Sequence, residues 1–293
     1  MKPKKGHVET FKCSFTQEDI DRFADLTGDN NPIHVDPEFS ARTHFGQTVA
    51  HGMLLYSTIC RVLSTQYPGP GILQIKQDMM FQSPTYTETE ITIRLEVIDF
   101  QPAHELAELN TVIGLPDGKL ACNGTTTIHV PGWKGGFPGI DGNMAVTGYS
   151  EAQSLKRLQV GQSAAAKKKF NAEDLSEYAA LTKDTNPLFN DAVFARQQGF
   201  KDCIIPGPVL IGMFSDLLGT KLPGRGTNWL KQKLHFPAPA YMGDEITARV
   251  EIIRLRPQKN LVNLIGTCSN SSAEWVCQAQ SLVLVRDLED QSL

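Results

Sequence analysis

The amino-acid sequence predicts an α+β fold made of two consecutive copies of one module, in each of which an antiparallel sheet wraps a central helix. The first observation is an internal repeat: between residues 15–36 and 170–191, ten of 22 positions are identical without a gap. The second is that each copy has one long apolar segment followed by segments that alternate between apolar and polar residues. A repeat of 155 residues has the length of a duplicated domain.

The helices of the first module are predicted from their ends and their apolar faces. Thr16 begins a helix, because a threonine cap followed three residues later by Asp19 satisfies the first free N–H groups. Pro32 ends this helix, because a proline disfavours the helical conformation of the residue before it. A short second helix is expected over 37–42. The segment 51–63 is apolar on most faces, which indicates a helix buried in the core.

The strands follow the helices in each module. Residues 91–97 alternate with a period of two, and residues 105–130 surround a Leu-Pro-Asp-Gly turn, which predicts a hairpin. In the second copy the corresponding strands are expected over 246–253 and 261–285. A central helix followed by long antiparallel strands is the basis of the α+β assignment.

The repeat also predicts the domain limits. We expect an N-terminal domain over residues 1–132, a linker over 133–155 and a C-terminal domain over 156–293. The segment that begins at Pro131 is dominated by glycine and proline, as linkers often are. The first strand of the second module is expected near Val160.

Composition excludes several classes of protein. The chain has 293 residues, 41% of them hydrophobic, with a net charge of −4, which is typical of a soluble globular protein and argues against nucleic acid as a partner. The run Lys167-Lys168-Lys169 is interpreted as a solvated strand end. No apolar run reaches the ~20 residues that would span a bilayer, so no membrane partner is expected.

The six cysteines are scattered singly, without the paired spacing of a zinc site. A chain of this size does not need disulfides, so reduced thiols are expected. The basic N-terminus lacks the apolar stretch of a signal peptide. Together these features predict a cytoplasmic protein without a metal.

One short turn carries most of the chemistry. Asp29 and His34 are separated by Asn31 and Pro32, and the proline turn can bring the carboxylate and the imidazole to one point. Such a pair can remove a proton from a water molecule and return a proton. The alternative is that Asp29 and Asn31 cap helices and that His34 is an incidental surface residue. The second copy keeps the acid, the amide and the proline but has Phe189 in place of the histidine, which favours a single working site in the first module.

A second candidate lies where the buried helix begins. His51 and Gly52 precede free N–H groups that, with the helix dipole, suit a developing oxyanion, and glycine allows close approach of a ligand. Close packing at the helix start is the alternative, because Gly207 repeats the glycine in the second copy. There His51 is replaced by Pro206.

The stretch from Leu26 to Asp36, followed by Val49-Ala50-His51-Gly52-Met53-Leu54, resembles the (R)-specific enoyl-CoA hydratases, or MaoC-like dehydratases. The resemblance extends over both modules and implies a tandem (double) hot-dog fold with a degenerate C-terminal site. It implies that Asp29 and His34 are catalytic and activate water. It further implies that Asn31 supports the site and that the Gly52 N–H holds the thioester oxygen; His51 is a further candidate for substrate binding. One departure is Cys60, which stands where some relatives carry serine, whereas the second copy has Ser215 there.

The function implied by this resemblance is that of a hydro-lyase that reversibly hydrates a trans-2-enoyl-CoA to an (R)-3-hydroxyacyl-CoA. The CoA thioester is the substrate, and no cofactor or metal is implied. One alternative is the dehydration of a 3-hydroxyacyl thioester carried by CoA or acyl carrier protein, or of a short branched dicarboxylyl-CoA. A hot-dog thioesterase would lack the Asp-x-Asn-Pro-x-His turn. A non-catalytic subunit that binds acyl thioesters is a further alternative. The sequence leaves open the acyl chain, the carrier, the direction and whether the chain is a monomer or a homodimer of pseudo-dimers.

Overall fold

The computed structural model describes residues 2–130 and 150–289 and confirms the α+β fold. Most of the predicted linker, residues 131–149, lies outside the described residues. The domain limits themselves stay a prediction.

The first module contains four helices and five strands. Helix α1 begins after Thr16, whose side chain and that of Asp19 form the expected reciprocal cap. It ends before Gly28, whose left-handed conformation stops the helix, and not at Pro32 as predicted; Pro32 instead begins α2. Helix α4 is the predicted central helix and is buried on nearly all sides. The elements are β1 (Val8–Cys13), α1 (Gln17–Thr27), α2 (Pro32–Val35), α3 (Pro37–Ala41), α4 (Gly52–Thr65), β2 (Leu73–Phe81), β3 (Ile91–Gln101), β4 (Leu106–Gly114) and β5 (Leu120–His129).

The second module repeats this order. Its central helix, α8, continues into a turn of π-helix at Leu217–Lys221, which has no counterpart in α4. A single 3₁₀ turn covers Pro257–Lys259. The elements are β6 (Ser154–Leu155), β7 (Leu158–Gln159), β8 (Ser163–Lys169), α5 (Ala172–Thr182), α6 (Pro187–Asn190), α7 (Ala192–Gln197), α8 (Gly207–Asp216), β9 (Asn228–His235), β10 (Glu245–Arg256), β11 (Leu261–Ser269) and β12 (Trp275–Leu284).

The two predicted sheets are joined into one. Ten strands form a continuous antiparallel sheet in the order β1-β3-β4-β5-β2-β9-β12-β11-β10-β8. The junction is the pairing of β2 with β9, which closes the open edge of each half and therefore leaves no unpaired edge between them. The two central helices lie together against this sheet, and one apolar core runs through both modules.

A pseudo-twofold axis relates the two modules. Asp78 pairs in the sheet with Lys233, which is its own counterpart 155 residues later, and the side chains form a salt bridge of 3.6 Å. The same is true of Arg22 and Glu177, which meet at 2.7 Å between α1 and α5. In a symmetric homodimer these positions would bring identical side chains together. The fused chain places opposite charges there, which favours this pairing of modules.

Some predicted segments take part in packing between modules. Lys168 in β8 is half-buried and donates to the carbonyl of Leu26 at 2.6 Å, so the lysine run is only partly the solvated strand end that was predicted. Ser154–Leu155, at the end of the predicted linker, pairs with Leu158–Gln159 and belongs to the second module. In the part of the chain that the structure describes, no helix is long and apolar enough to cross a membrane.

Candidate active site

A cavity of about 340 Å³ lies at the interface of the two modules. Its wall on the first module is formed by the turn after α1 and by the start of α4. Its wall on the second module is formed by the end of α8 and by the start of β9. Asp29, Asn31, His34 and Gly52 all line this cavity, so the structure brings together four of the five predicted site residues.

Asp29 is positioned by the end of helix α1. Gly28 adopts φ +83°, a left-handed conformation that ends the helix and turns the chain inward. The Asp29 carboxylate is 1% exposed. One of its oxygens accepts the backbone N–H of Asn31 at 3.3 Å, and the other accepts the hydroxyl of Ser215 from the second module. A carboxylate buried in this way is stabilised by charge-assisted hydrogen bonds from both modules.

His34 faces this carboxylate from helix α2. Its Nε2 lies 4.0 Å from Asp29 Oδ2, and its Nδ1 lies 2.8 Å from the carbonyl of Val49. Because a carbonyl can only accept, Nδ1 carries the proton and the Nε2 lone pair is directed toward Asp29. Burial lowers the pKa of His34 to about 3, with a further lowering by His51 that outweighs the opposing effect of Asp29. His34 is therefore neutral at physiological pH.

His51 lies behind the cavity wall and not on it, although it was a candidate for substrate binding. It is fully buried, and its ring packs against that of His34 with centroids 3.9 Å apart. Its Nε2 donates to the backbone carbonyl of Asp29 at 3.0 Å. Burial lowers the pKa of His51 to about 4, so this residue is also neutral. The geometry gives His51 the role of holding Asp29 and His34 in place.

Asn31 joins the two modules. Its Nδ2 donates to the carbonyl of Thr227 at 3.0 Å, and its Oδ1 accepts the N–H of Gly226 at 3.2 Å. Asn186, its counterpart, makes the same two bonds to the first module, to Ile72 and Gly71. Since both polar ends of Asn31 are occupied by backbone groups, its contribution to the site is structural.

Gly52 is the first residue of helix α4, where N–H groups have no intrahelical carbonyl to pair with. A side chain here would meet the ring of Phe81, because a Cβ would lie 2.8 Å from Phe81 Cζ. The positive end of the helix dipole adds to the attraction for negative charge. This end of the helix can therefore bind a carbonyl oxygen that becomes negative during a reaction.

Two residues of the second module complete the site and were not predicted as site residues. Ser215 donates its hydroxyl to Asp29 across the module interface, whereas its counterpart Cys60 lines the smaller cavity beside Asp184. Gly219 lies in the π-helical turn, where a Cβ would be 2.6 Å from Asn31 Cβ and 2.9 Å from Asp29 Oδ1. π-Helical turns are frequent at functional sites. The signal for both was present in the repeat, which pairs Ser215 with Cys60 and Gly219 with Ser64.

The equivalent position in the other half is closed, and we call it the vestigial site. Asp184 accepts hydrogen bonds from the hydroxyls of Ser64 and Tyr178 and from the backbone N–H of Asn186. Phe189 occupies the position that corresponds to His34. The cavity beside these residues measures about 50 Å³. The carboxylate is thus fully bonded to the protein, and burial raises its pKa.

The same residues have limited capacity for a metal ion. Nitrogen or oxygen atoms of Asp29, His34 and His51 lie within 4.8 Å of one another. The His51 Nε2 of this set carries a proton, because it donates to the Asp29 carbonyl, and a protonated nitrogen has no lone pair for a metal. Only two of the three atoms are therefore free donors, which is fewer than protein metal sites usually provide.

Comparisons with known proteins identify the family to which this sequence is similar. The model of the family described as MaoC like domain matches residues 2–113 and 155–273. The chain is 43% identical over 111 residues to the (R)-specific enoyl-CoA hydratase of Aeromonas caviae, which covers 38% of this chain and 83% of that protein. It is 34% identical over 126 residues to the 3-hydroxybutyryl-CoA dehydratase of Methylorubrum extorquens, which covers 43% of this chain and 80% of that protein.

Solved structures confirm the double hot-dog fold. A MaoC-like dehydratase superposes with a TM-score of 0.76 at 18% identity and covers 96% of this chain and 98% of its own. A Mycobacterium tuberculosis protein described as having a double hot-dog fold superposes with a TM-score of 0.72 at 16% identity, with 96% of each chain covered. At these identities the similarity concerns the fold alone.

The two buried neutral histidines predict a loss of stability in acid. Below pH 6.5 the histidines of the unfolded chain take up protons, whereas the folded protein holds His34 and His51 neutral down to about pH 4. The free energy of unfolding should therefore fall between pH 6.5 and 4, by about 1.4 kcal/mol per pH unit for each histidine.

Urea unfolding of the wild type and of a His34→Gln/His51→Gln variant at several pH values measures this effect. The variant should show a shallower dependence on pH in this range. His104→Gln is the matched control, because His104 is exposed and its removal should not change the slope. Equal slopes in the wild type and the double variant would contradict the assignment of neutral buried histidines.

Proposed function

The chain belongs to the MaoC-like domain family, and we propose that it is a hydro-lyase that adds water reversibly across the double bond of a trans-2-enoyl-CoA to give an (R)-3-hydroxyacyl-CoA. The observation that carries this proposal is the Asp29 carboxylate 4.0 Å from the unprotonated nitrogen of His34, on the wall of a cavity that also contains the N-terminus of a helix. The names of the relatives support the substrate class and the stereochemistry.

The proposed site holds one water molecule between the two side chains. Two acceptors 4.0 Å apart can both bond to one water at ordinary hydrogen-bond distances. The water donates one O–H to Asp29 Oδ2 and the other to His34 Nε2, which leaves an oxygen lone pair free to attack. Because both acceptors lie on one side of the cavity, the water reaches C3 of the substrate from a single face.

The thioester carbonyl is placed at the start of helix α4. Attack at C3 moves the electrons of the double bond toward the thioester and leaves negative charge on its oxygen as an enolate. The Gly52 N–H and the helix dipole stabilise that charge, and one such donor typically contributes ~10²–10³ in rate. The ring of Phe81, packed against Gly52, helps to exclude water from this end of the site.

The proton balance follows from the protonation states. The O–H bond of the water breaks as its oxygen bonds to C3, and the released proton goes to the Asp29 carboxylate. His34 orients the water, because its pKa of about 3 disfavours the imidazolium. The protonated Asp29 then transfers the proton to C2 of the enolate, which regenerates the carboxylate. The net change is the addition of OH to C3 and H to C2.

No cofactor or metal enters this proposal, because proton transfer and stabilisation of the enolate are sufficient for the reaction. The same site would catalyse the reverse dehydration through the same transition state. Dehydration is the second candidate, because the chain is 34% identical to a 3-hydroxybutyryl-CoA dehydratase. Acyl carrier protein is the alternative carrier, because a 31% identical relative from Solanum lycopersicum is a 3-hydroxyacyl-[acyl-carrier-protein] dehydratase. We further propose a cytoplasmic location, in which the six free thiols stay reduced.

The direct test is the loss of enoyl-thioester absorbance when the purified protein is mixed with crotonyl-CoA or a medium-chain enoyl-CoA. Turnover by the isolated chain supports the hydratase. Folded protein without turnover on enoyl-CoA, enoyl-acyl carrier protein or the corresponding 3-hydroxyacyl thioesters would instead support a non-catalytic binding subunit.

Removal of either catalytic group should abolish most turnover. Asp29→Asn and His34→Ala are each expected to lower kcat by roughly 10²–10⁴-fold, because the first removes the proton acceptor and the second removes the group that orients the water. Asp184→Asn is the matched control in the vestigial site. It should change kcat by less than about threefold, because a substitution outside the active cavity is expected to affect turnover only slightly, through the structure. Loss of activity in a folded Asp184→Asn protein would refute the single-site assignment.

Ser215 provides a test of the cross-module contact. Ser215→Ala removes the hydroxyl that holds Asp29, and we expect kcat to fall by about 10–100-fold with little change in KM, as one charge-assisted hydrogen bond is lost. Cys60→Ala is the control at the position related by the pseudo-twofold axis and should leave kcat near that of the wild type. Similar effects of both substitutions would show that packing between the helices, and not the bond to Asp29, is responsible.

Gly219 provides a steric test. Gly219→Ala places a methyl group against Asn31 and Asp29 and should lower kcat while the melting temperature shows that the protein is folded. The counterpart substitution, Ser64→Gly, frees space only in the vestigial site. An active Gly219→Ala enzyme would mean that the π-helical turn shifts without cost to the catalytic pair.

A further inference from the structure

Three buried polar atoms on the active cavity have no hydrogen-bond partner among the described residues. They are the hydroxyls of Thr85 and Thr227 and the indole N–H of Trp229. Thr85 is 3% exposed and Thr227 is 4% exposed. Buried polar groups are nearly always bonded in native proteins, so such atoms beside a ligand cavity need an explanation.

The vestigial half shows that the fold does not require them. The counterparts of Thr85 and Thr227 are Ala240 and Ile72, which have no polar side-chain atoms. The counterpart of Trp229 is Gln74, whose amide donates to Gln77 and Thr126 and whose oxygen accepts from Tyr56. In each of these three pairs of counterparts, the unpaired donor is therefore the residue that lines the active cavity.

Two of the donors lie at the catalytic end of the cavity. The Thr227 carbonyl holds Asn31, two residues from Asp29, so Thr227 is on the Asp29 side. Trp229 follows two positions later, at the start of β9, and both residues line the cavity. Thr85 lies at the other end, because its carbonyl accepts the N–H of Ala50 at 2.8 Å, beside the start of α4. With the thioester oxygen at Gly52 and C3 at Asp29, the acyl chain beyond C3 lies nearest to Thr227 and Trp229.

The charges of the cavity restrict what these donors can bind. Among the described residues that line it there is no lysine or arginine, and His44 is paired with Asp287. The Asp29 carboxylate would repel a second carboxylate. An indole N–H can only donate, so the ligand atom is an acceptor. The complementary group is a neutral oxygen.

We propose that Thr227 and Trp229 form a subsite for a neutral oxygen acceptor, such as a keto group, on the acyl chain beyond C3, and that the preferred substrates are oxygenated acyl-CoA thioesters rather than plain hydrocarbon ones. This inference rests on the proposed function in one respect, that the cavity holds an acyl-CoA. A site whose buried donors are left unpaired by an analogue discriminates strongly against that analogue.

Binding of saturated thioesters tests the subsite without any turnover. Isothermal titration calorimetry with hexanoyl-CoA, 4-oxohexanoyl-CoA, 5-oxohexanoyl-CoA and adipoyl-CoA measures the four dissociation constants. At least one oxo ligand should bind about tenfold or more tightly than hexanoyl-CoA, and adipoyl-CoA should bind no more tightly than hexanoyl-CoA. Equal affinities for hexanoyl-CoA and both oxo ligands, or tighter binding of adipoyl-CoA, would overturn the proposal.

Variants identify the groups responsible. Thr227→Val is isosteric and keeps the carbonyl that holds Asn31, and Trp229→Phe keeps an aromatic ring. Each should reduce the preference for the oxo ligand to about threefold or less, as one donor is lost. Thr85→Val should change the affinities for all four ligands by the same factor. A preference that survives in both the Thr227 and Trp229 variants would overturn the assignment.

The outcomes also separate this inference from the hydratase proposal. An oxo preference that depends on Thr227 and Trp229, together with absent hydration of enoyl thioesters, would support the subsite and reject the hydratase. Hydration of enoyl-CoA without any oxo preference would do the reverse. Failure of all four ligands to bind would overturn the subsite.

Discussion

The pairing of β2 with β9 brings two half-sites within reach of each other, and the rest of the structure depends on it. The strands meet about a pseudo-twofold axis that passes between Asp78 and Lys233. This places α8 beside the turn that carries Asp29, and α4 beside the turn that carries Asp184. Each turn is therefore completed by the opposite module. Exposed ion pairs such as Asp78–Lys233 contribute little energy, so their value is in selecting this register over others.

The Asp29 carboxylate shows what the second module contributes to the candidate site of the first. Asp29 is almost fully buried, and one of its oxygens is bonded by a hydroxyl from the other module. A buried carboxylate that lost this donor would keep its desolvation cost without the compensating bond. The second module thus supplies one of the hydrogen bonds that hold the Asp29 carboxylate. The second module also has a glycine at position 219. Because Gly219 has no side chain, the Asp29 carboxylate and Asn31 have the space that they occupy.

The two halves show how one scaffold supports both a working and a closed site. Both halves keep the aspartate, the glycine at the start of the central helix and the asparagine whose amide bonds the opposite module. In the vestigial half, the hydroxyls of Ser64 and Tyr178 donate hydrogen bonds to the carboxylate of Asp184, and Phe189 replaces the imidazole. In the half that contains His34, burial holds two histidines neutral beside Asp29, which leaves one ring nitrogen of His34 free to accept a hydrogen bond.

Much of the architecture follows from local patterns in the sequence. The cap at Thr16, the apolar segment after Gly52 and the alternating strands each depend on neighbours a few residues away, and all are observed as expected. Asp29, His34 and Gly52 could be chosen for the same reason, because a proline turn and a helix start are local features. The predicted end of the first helix at Pro32 was wrong, because Gly28 already ends that helix and Pro32 begins α2.

The tertiary structure alone decided what depends on residues far apart in the chain. In the structure the two predicted sheets form one continuous sheet, Asn31 lies at the interface between the modules, and His51 lies behind the cavity wall. The structure also brings Ser215 to Asp29 across 186 positions of sequence. The sequence by itself determined the repeat and most of the elements, and it predicted the acid, the imidazole and the helix start as site residues. Only the packing of one module against the other decided which groups complete the site, because those contacts arise from the pseudo-twofold axis and from no local pattern.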